Sequence, residues 1–314
     1  MIDDIMFVVS DYFTYLKRRI TVLAMVGMAC WTIPMVYSKA VYSWWKGTGY
    51  FSDPLGKPSL CGFFVDYLKF LGGTAFLIMK PATEDAINAA KNPATPGSDD
   101  GVQVVMKDDY IEFKPPEKEG DKDAGGEGTW GLVGVIIIPG ALVSPYAYAP
   151  MARELARLGY PCFILILPLG LAFYGWSTAG TIIMRTPTPE RPAPKKWVLM
   201  GHSLGTIGME RFVNGRPDIV DGAVYMGSSA NGINSEIKLP VLTVRGDRDG
   251  LTIDKKIQPN ADVCIVEGGN HRGFASYTYQ LLDWEATISV DDQRKRTLDA
   301  VLKFMKEKVV PKSS

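Results

Sequence analysis

The sequence predicts an α/β fold in which a mostly parallel sheet is flanked by helices, with a membrane-anchoring segment before it. The main observation is a series of short, continuous apolar runs in the second half of the chain. Continuous runs indicate strands covered on both faces, and the helical stretches between several of them indicate parallel connections. The buried strands are predicted at residues 132–138, 162–167, 197–200, 223–226, 241–244 and 263–266.

The other elements of this region follow from local patterns. Two β-rich runs, residues 102–106 and 110–114, flank a polar turn and predict a hairpin. Residues 147–158 and 292–308 carry apolar side chains at helical spacing and predict helices. Residues 115–129 are almost entirely charged, Gly or Pro, which predicts a solvated loop.

Length and composition exclude several classes of function. The 314 residues suit one full-sized domain with a smaller appendage. Lys and Arg number 34 against 34 Asp and Glu, so no net charge draws the chain towards nucleic acid. The 4 cysteines form no Cys-x-x-Cys pair, which argues against a structural metal site or a disulfide framework. We therefore expect no nucleic-acid partner, no metal and no organic cofactor.

A single membrane span is predicted near the N-terminus. Residues 20–38 carry no formal charge, match the roughly 20 residues that cross a hydrocarbon core, and are followed by aromatic residues typical of a membrane interface. Lys17, Arg18 and Arg19 precede the stretch, which predicts a cytosolic N-terminus. The alternatives are a buried hairpin or a cleavable signal peptide with an unusually long, charged beginning.

A second apolar stretch, residues 60–79, is interrupted by Asp66 and Lys69, so it is predicted to lie in the membrane interface or re-enter it. From Lys80 onwards Pro, Ala, Asn, Gly and Asp dominate, a composition expected to sustain neither helix nor strand. We therefore predict an N-terminal anchor region at residues 1–57, an amphipathic segment and linker at 58–100, and a folded domain at 101–314.

One motif supplies a candidate nucleophile. Gly201-His-Ser203-Leu-Gly205 follows the predicted strand at 197–200 and precedes a helical stretch. A serine on a sharp strand-to-helix turn projects its oxygen above the sheet, and the two glycines remove side chains that would collide at the bend. A glycine-rich turn is the alternative for the bare motif, but its place after a strand favours Ser203 as a nucleophile.

A serine hydroxyl needs an imidazole to take its proton and a carboxylate to orient that imidazole. The chain has 2 histidines. His202 adjoins Ser203 and is expected to point elsewhere and support the turn. By elimination His271, in the loop after the last predicted strand, is the predicted base.

Three carboxylates could orient His271. Asp249 lies in a turn after the strand at 241–244 and completes the chain order Ser, Asp, His, so it is the predicted acid. Asp247 is expected to lie in an exposed turn, and Glu236 is a less favoured substitute from the preceding connection.

Attack by a serine on a carbonyl group also needs two backbone N–H donors to hold the oxyanion that develops. Leu204, the residue after the nucleophile, is predicted to supply one. Ala141 is predicted to supply the other, because Gly140 lets the loop after the strand at 132–138 turn its next amide towards the site. A simple Pro-Gly turn is the alternative.

These motifs resemble those of the α/β-hydrolase superfamily, and the resemblance covers about residues 101–310. The matching segments are Pro-Gly-Ala-Leu-Val at 139–143, Gly-His-Ser-Leu-Gly at 201–205, Gly-Asp-Arg-Asp-Gly at 246–250 and Glu-Gly-Gly-Asn-His at 267–271. More narrowly, the chain is similar to compact, esterase-like hydrolases that close with a segment like Ala-Thr-Ile-Ser-Val-Asp-Asp-Gln at 286–293. It departs from them at Thr206, where such proteins often place a second glycine.

The predicted activity is hydrolysis of an ester, thioester or similar acyl bond through a seryl acyl-enzyme, on a small-molecule or lipid-like substrate. Acyl transfer to an alcohol would use the same residues, and a non-catalytic binding protein could keep the same fold. Residues 169–194 are rich in apolar side chains and are expected to cover the site, unless they form a core helix.

Overall fold

The computed structural model describes residues 79–92, 100–116, 132–185, 194–228, 232–252, 257 and 260–310. Within these ranges the chain forms an 8-stranded sheet with the order β1-β2-β4-β3-β5-β6-β7-β8. The strands are β1 Gln103–Met106, β2 Tyr110–Lys114, β3 Val133–Ile138, β4 Cys162–Leu165, β5 Lys196–His202, β6 Gly222–Met226, β7 Val241–Gly246 and β8 Asp262–Val266. Each predicted strand is confirmed, with ends that differ by a few residues.

The sheet is antiparallel at one side and parallel elsewhere. β2 pairs antiparallel with β1 and with β4, while every pair from β4 through β3 to β8 is parallel. The predicted hairpin at 102–114 is therefore confirmed. Because parallel strands end at the same edge, the loops after β3, β5, β6, β7 and β8 meet there, which is where ligands bind in open α/β sheets.

Helices cover both faces of the sheet. They are α1 Glu84–Ala89, α2 Ala149–Arg157, α3 Thr178–Ile183, α4 Gly205–Gly215 and α5 Val290–Phe304. Alternate residues of β3 divide between two cores. Ile137 packs in the cluster that contains Val301 of α5, and Ile136 packs in the cluster that contains Phe212 of α4. The predicted α/β layering, with helices near 147–158 and 292–308, is confirmed.

The edge strand β8 departs from the expected burial. Val263 is 46% exposed and Ile265 is 52% exposed, although both belong to a continuous apolar run. The run predicted a strand covered on both faces, and that prediction is wrong for β8. An edge strand has a neighbour on one side alone, so apolarity in a short run does not determine how fully it is covered.

The prediction that residues 80–100 sustain neither helix nor strand is also wrong. Thr83 caps α1, with its hydroxyl accepting from the N–H of Ala86, and Glu84 and Asp85 favour the positive end of the helix. The prolines of this region lie outside the helix, and Ala86 is fully buried against the domain. The compact unit that contains the sheet runs from residue 78 to residue 314 and includes α1.

Arg153 of α2 ties this early region to the domain. Its guanidinium forms two hydrogen bonds with Asp100, at 2.8 and 2.6 Å, and donates to the carbonyl groups of Ala89 and Lys91. Only 6% of Arg153 is exposed, so the interaction is largely removed from water. A bidentate, partly buried pair of this kind is geometrically specific.

Residues 79–83, here named the crossing segment, run over the edge where the parallel strands end. Lys80 bridges to Val143 after β3, and Ala82 bridges to Tyr277 after β8. The N–H of Thr83 donates to the carbonyl of Ser276 at 2.9 Å. The crossing segment therefore joins two loops that come from distant parts of the sheet.

Within the described ranges, no helix combines the length and apolarity that a membrane crossing requires. The predicted span at 20–38 and all but the last residue of 60–79 lie outside those ranges.

Candidate active site

Ser203 occupies a sharp turn between β5, which ends at His202, and α4, which begins at Gly205. Its backbone φ is 51°, in the left-handed region that a residue with a side chain adopts at a cost. The N–H of Ser203 donates to the carbonyl of Met226 at 3.0 Å, which fastens the turn to β6. The strand-turn-helix context predicted around Ser203 is thus present.

The glycines beside Ser203 are required by close backbone approach. A Cβ on Gly201 would stand 2.8 Å from Cα of Thr206, and one on Gly205 would meet the carbonyl oxygens of Ile138 and Pro139. Real Cβ atoms do not come so close to backbone, so each side chain would push two segments apart. Gly205 thereby holds the first turn of α4 against the end of β3.

His271 and Asp249 form a buried pair. Nδ1 of His271 lies 3.1 Å from Oδ1 and 3.0 Å from Oδ2 of Asp249. Oδ1 of Asp249 also accepts from the N–H groups of Leu251 and Thr252, and Oδ2 accepts from the Thr252 hydroxyl at 2.8 Å. Burial acts to raise the pKa of Asp249, but the hydrogen bonds from His271 and Thr252 outweigh it and lower that pKa. Asp249 is therefore an anion at neutral pH.

The other two acids considered from sequence lie elsewhere. Asp247 is exposed, and its carboxylate accepts from the N–H of Gly268 at 2.6 Å. Glu236 is exposed in the connection between β6 and β7. The structure thus brings Asp249, and neither alternative, to His271.

Gly227, the residue after β6, was not identified from sequence. Its φ is 53°, and a Cβ there would stand 3.2 Å from both Oδ2 of Asp249 and Nδ1 of His271. A side chain at this position would push against the pair. The available signal was a glycine directly after a buried strand at the functional edge of the sheet.

Ser203 and His271 line one cavity of about 360 Å³. Its other lining residues are Leu204, Thr206, Ile207, Gly227, Ser228, Leu251 and Thr252. No side chain that carries a fixed charge lies among these lining residues. The hydroxyl of Thr206 donates to the carbonyl of Ser203 at 2.7 Å and pairs with Ser228, so the polar side chain at this position is accommodated.

The expectation that residues 169–194 cover the site finds no support in their described part, 169–185. None of those residues lines the cavity. Ile182 and Ala172 instead belong to the core cluster that includes Phe212 of α4. α3 therefore packs as part of the core, which was the alternative interpretation of this region.

The predicted oxyanion donors, the N–H groups of Ala141 and Leu204, belong to segments that lie beside Ser203. In the described part of the chain, the N–H groups of Ala141 and Leu204 donate to no protein acceptor. Leu204 lines the cavity and Ala141 does not, although a Cβ on the adjacent Gly140 would lie 3.3 Å from Cβ of Ser203. The loop after β3 therefore runs directly beside the candidate nucleophile.

His202 supports the loop after β3 through a hydrogen bond with Tyr148. It is fully buried, and its Nδ1 lies 2.7 Å from the hydroxyl of Tyr148, which accepts from the N–H of Gly140 at 2.8 Å. Burial and, next, the nearby His271 lower the pKa of His202 well below its usual range, so the ring is neutral. The two imidazole rings lie 4.9 Å apart. The supporting role predicted for His202 agrees with these contacts, while Tyr148 was missed.

Two further residues that sequence reasoning missed hold the His271 loop. Asp283 accepts from the N–H groups of Gly250, His271 and Arg272, which joins the acid-bearing turn to the histidine loop. Gln293 of α5 accepts from the N–H of Asn270 and donates to its carbonyl. Gln293 lies in the closing segment at 286–293 that resembles esterase-like hydrolases, which was the one signal for it, while Asp283 precedes that segment.

Metal-binding side chains are not gathered anywhere in the described ranges, where no three His, Cys, Asp or Glu residues are placed to hold an ion. Cys162 and Cys264 are free thiols, and Cys162 is buried within β4.

The close approach at Gly205 leads to a prediction about stability. Gly205→Ala should lower the free energy of unfolding by about 1–3 kcal/mol, because its Cβ overpacks against backbone that cannot yield. Gly215→Ala is the matched control at the other end of α4, where a Cβ meets no atom within 4 Å. It should leave stability unchanged or raise it by up to about 1 kcal/mol. Urea denaturation of both variants measures the difference, and equal stability for the two would contradict the contact.

Comparisons with known proteins agree with the fold. The family model described as the alpha/beta hydrolase family matches residues 134–295, more than half of the chain. Among solved structures, the chain is similar to dienelactone hydrolase from Anabaena variabilis ATCC 29413, with 14% identity, a TM-score of 0.46 and coverage of 65% of this chain and 98% of that one. It is also similar to Est1E from Butyrivibrio proteoclasticus, with 11% identity, a TM-score of 0.42 and coverage of 66% and 100%.

A third similar structure is alpha/beta hydrolase domain-containing protein 10 from mouse, with 14% identity, a TM-score of 0.40 and coverage of 64% of this chain and 98% of that one. No curated protein matches the chain. The family model and the strand order lead to one conclusion: the chain belongs to the alpha/beta hydrolase family.

Proposed function

We propose that the protein is a serine hydrolase that cleaves an ester, thioester or similar acyl bond, with Ser203 as nucleophile, His271 as base and Asp249 as orienting acid. The observation that carries the proposal is the buried Asp249–His271 pair, which opens onto the same cavity as Ser203. Family membership alone does not establish an activity, so the proposal depends on these side chains.

The first half of the reaction forms an acyl-enzyme. With Nδ1 of His271 bound to Asp249, Nε2 is available to take the proton of Ser203 as its Oγ attacks the acyl carbonyl carbon. The carbonyl π electrons move to the oxygen, which becomes an oxyanion. When the tetrahedral intermediate collapses, the bond to the leaving alcohol or thiol breaks and His271 returns its proton to that group.

The surroundings favour the charges that develop in this step. Asp249 is anionic and stabilises the imidazolium that forms on His271. His202 stays neutral, so no second positive charge opposes that imidazolium across 4.9 Å. The N–H groups of Ala141 and Leu204 have no protein acceptor in the described ranges and are available to the oxyanion.

The second half of the reaction repeats these steps with water. His271 takes a proton from a water molecule as the water oxygen attacks the acyl carbon. Collapse of the second tetrahedral intermediate releases the carboxylic acid and returns the proton to Ser203. Each residue is thus restored after one turnover.

The cavity favours a neutral acyl group with an apolar portion. Leu204, Ile207 and Leu251 supply apolar surface, and the described lining carries no lysine, arginine, aspartate or glutamate that could pair with a charged substrate. An apolar acyl chain gains about 0.8 kcal/mol for each methylene group it buries. A small-molecule or lipid-like ester satisfies this chemistry.

We expect Ser203→Ala to reduce hydrolysis of p-nitrophenyl esters at least about 10³-fold and to prevent labelling by a fluorophosphonate, because no nucleophile remains. The control is Ser177→Ala, which removes an exposed serine hydroxyl outside the cavity and should keep both signals. Mass spectrometry of the labelled wild-type protein should place the adduct on Ser203. An adduct on Ser228 would show that the nucleophile is misassigned.

Asp249→Asn should lower kcat by about 10⁴, as loss of the orienting carboxylate does in well-studied triads, because the amide no longer favours the required tautomer of His271. Asp247→Asn is the matched control, since its remaining side-chain oxygen can still accept from Gly268. Steady-state kinetics of the two variants measure which carboxylate the reaction requires. A severe loss in Asp247→Asn with nearly normal Asp249→Asn would reverse the assignment.

We also propose that residues 20–38 anchor the protein in a membrane with a cytosolic N-terminus. The support is the charge-free stretch and the basic residues before it, both read from sequence.

Two charges in the middle of this stretch, introduced as Val26→Asp with Ala29→Asp, should move the protein from the carbonate-resistant membrane fraction to the soluble fraction. Each charge costs about 2.5–3.5 kcal/mol at the centre of a span. The matched variant Val26→Leu with Ala29→Leu should remain in the membrane. Release of the wild-type protein by carbonate would refute the anchor, and digestion of a C-terminal tag from the cytosolic face would refute the orientation.

A further inference from the structure

Lys80 reaches the candidate oxyanion loop from a segment that the family model does not cover. Its backbone N–H donates to the carbonyl of Leu142 at 2.6 Å, and its carbonyl accepts from the N–H of Ser144 at 3.0 Å. Its ammonium donates to the carbonyl of Ala141 at 3.2 Å. Three residues of the loop, Ala141, Leu142 and Ser144, are therefore held by one residue of the crossing segment.

The rest of the loop is held by other bonds. The N–H of Gly140 donates to Tyr148, that of Leu142 donates to Gly170 at 2.7 Å, and that of Val143 donates back to Gly140. Leu142 itself has a φ of 57°, a strained value that these bonds maintain. Within this loop, as far as the structure describes it, the N–H of Ala141 is left without an acceptor. A preorganised donor of this kind is what an oxyanion requires.

The ammonium of Lys80 also places a positive charge beside the candidate oxyanion loop. Among the described residues no carboxylate forms an ion pair with Lys80, and its Nζ lies 5.9 Å from the ring centroid of Tyr277. The side chain is partly buried, which strengthens its electrostatic effect on the loop relative to bulk water. Burial also lowers the pKa of Lys80.

We propose that Lys80 is a positioning residue for the oxyanion loop. Its ammonium fixes the carbonyl of Ala141, so that the N–H of the same residue stays directed at the oxyanion, and its positive charge favours the negative charge that develops there. This inference rests on the proposed function, because it assigns Lys80 a role in the reaction of Ser203.

The test compares three variants of the full chain with a p-nitrophenyl ester. Lys80→Met keeps the length of the side chain but removes the ammonium, and should lower kcat about 10- to 100-fold with KM within about twofold, because a misplaced oxyanion donor affects the transition state alone. Lys80→Arg keeps a charged donor and should recover most of that loss. Asn92→Ala removes two hydrogen bonds to Val104 at the far end of the same region and should retain the wild-type kcat.

Affinity for a trifluoromethyl ketone separates positioning from general stability. This inhibitor adds to the serine as a hemiketal oxyanion, so Lys80→Met should weaken its binding by the same factor as kcat falls. A structural role alone would lower the melting temperature and leave both quantities unchanged well below that temperature. If Lys80→Met does not fold, Lys80→Leu, which also removes both the charge and the donor to Ala141, is judged by the same loss of kcat and inhibitor affinity.

Several outcomes would overturn the inference. A wild-type kcat in the folded, uncharged variant would show that the ammonium has no role in catalysis. The same conclusion would follow if Lys80→Arg recovered no activity. It would also follow if Asn92→Ala lost as much kcat as the uncharged variant. Failure of the proposed function is distinct from these results, because in that case the wild-type protein itself would show no Ser203-dependent hydrolysis or fluorophosphonate labelling.

Discussion

The contact between the start of α4 and the end of β3 is the constraint on which the rest of the site depends. Gly205 lies against the carbonyl groups of Ile138 and Pro139, leaving no room for a Cβ. This approach brings the amide of Leu204 and the loop at residues 139–143 to the same side of Ser203. We expect loss of this contact to move the two candidate oxyanion amides apart, while the serine would still project from its turn.

Several polar side chains near this contact are buried and need hydrogen-bond partners. Asp249, His271 and His202 are each less than a tenth exposed, and a buried polar group without a partner costs free energy. Backbone amides and the Thr252 hydroxyl donate to Asp249, while Tyr148 pairs with Nδ1 of His202 and its Nε2 has no partner in the described part of the chain. The hydrogen bonds to Asp249 lower its pKa and keep it an anion, whereas burial and then the nearby His271 lower the pKa of His202 and keep its ring neutral.

The strands and the turn at Ser203 could be predicted because their signals are short-range: apolar runs, two glycines and the order of three polar residues. Gly227 could not be predicted as part of the site, since its contact with Asp249 and His271 arises from the position of β6 between β5 and β7. The helix α1 was hidden by the surrounding prolines, which lie outside it. Burial of β8 was overestimated because composition does not reveal which strand ends a sheet.

The crossing segment affects how short a fragment of the chain could be and still hold the candidate site in place. A fragment trimmed to the family match at residues 134–295 would retain Ser203, Asp249 and His271. It would also expose the loop carbonyls of Ala141 and Leu142, which Lys80 now occupies, and free Ser276 from Thr83. The segment that carries the candidate site and the compact unit that holds it are therefore different lengths of chain, and part of the difference is the crossing segment, whose composition resembles a linker.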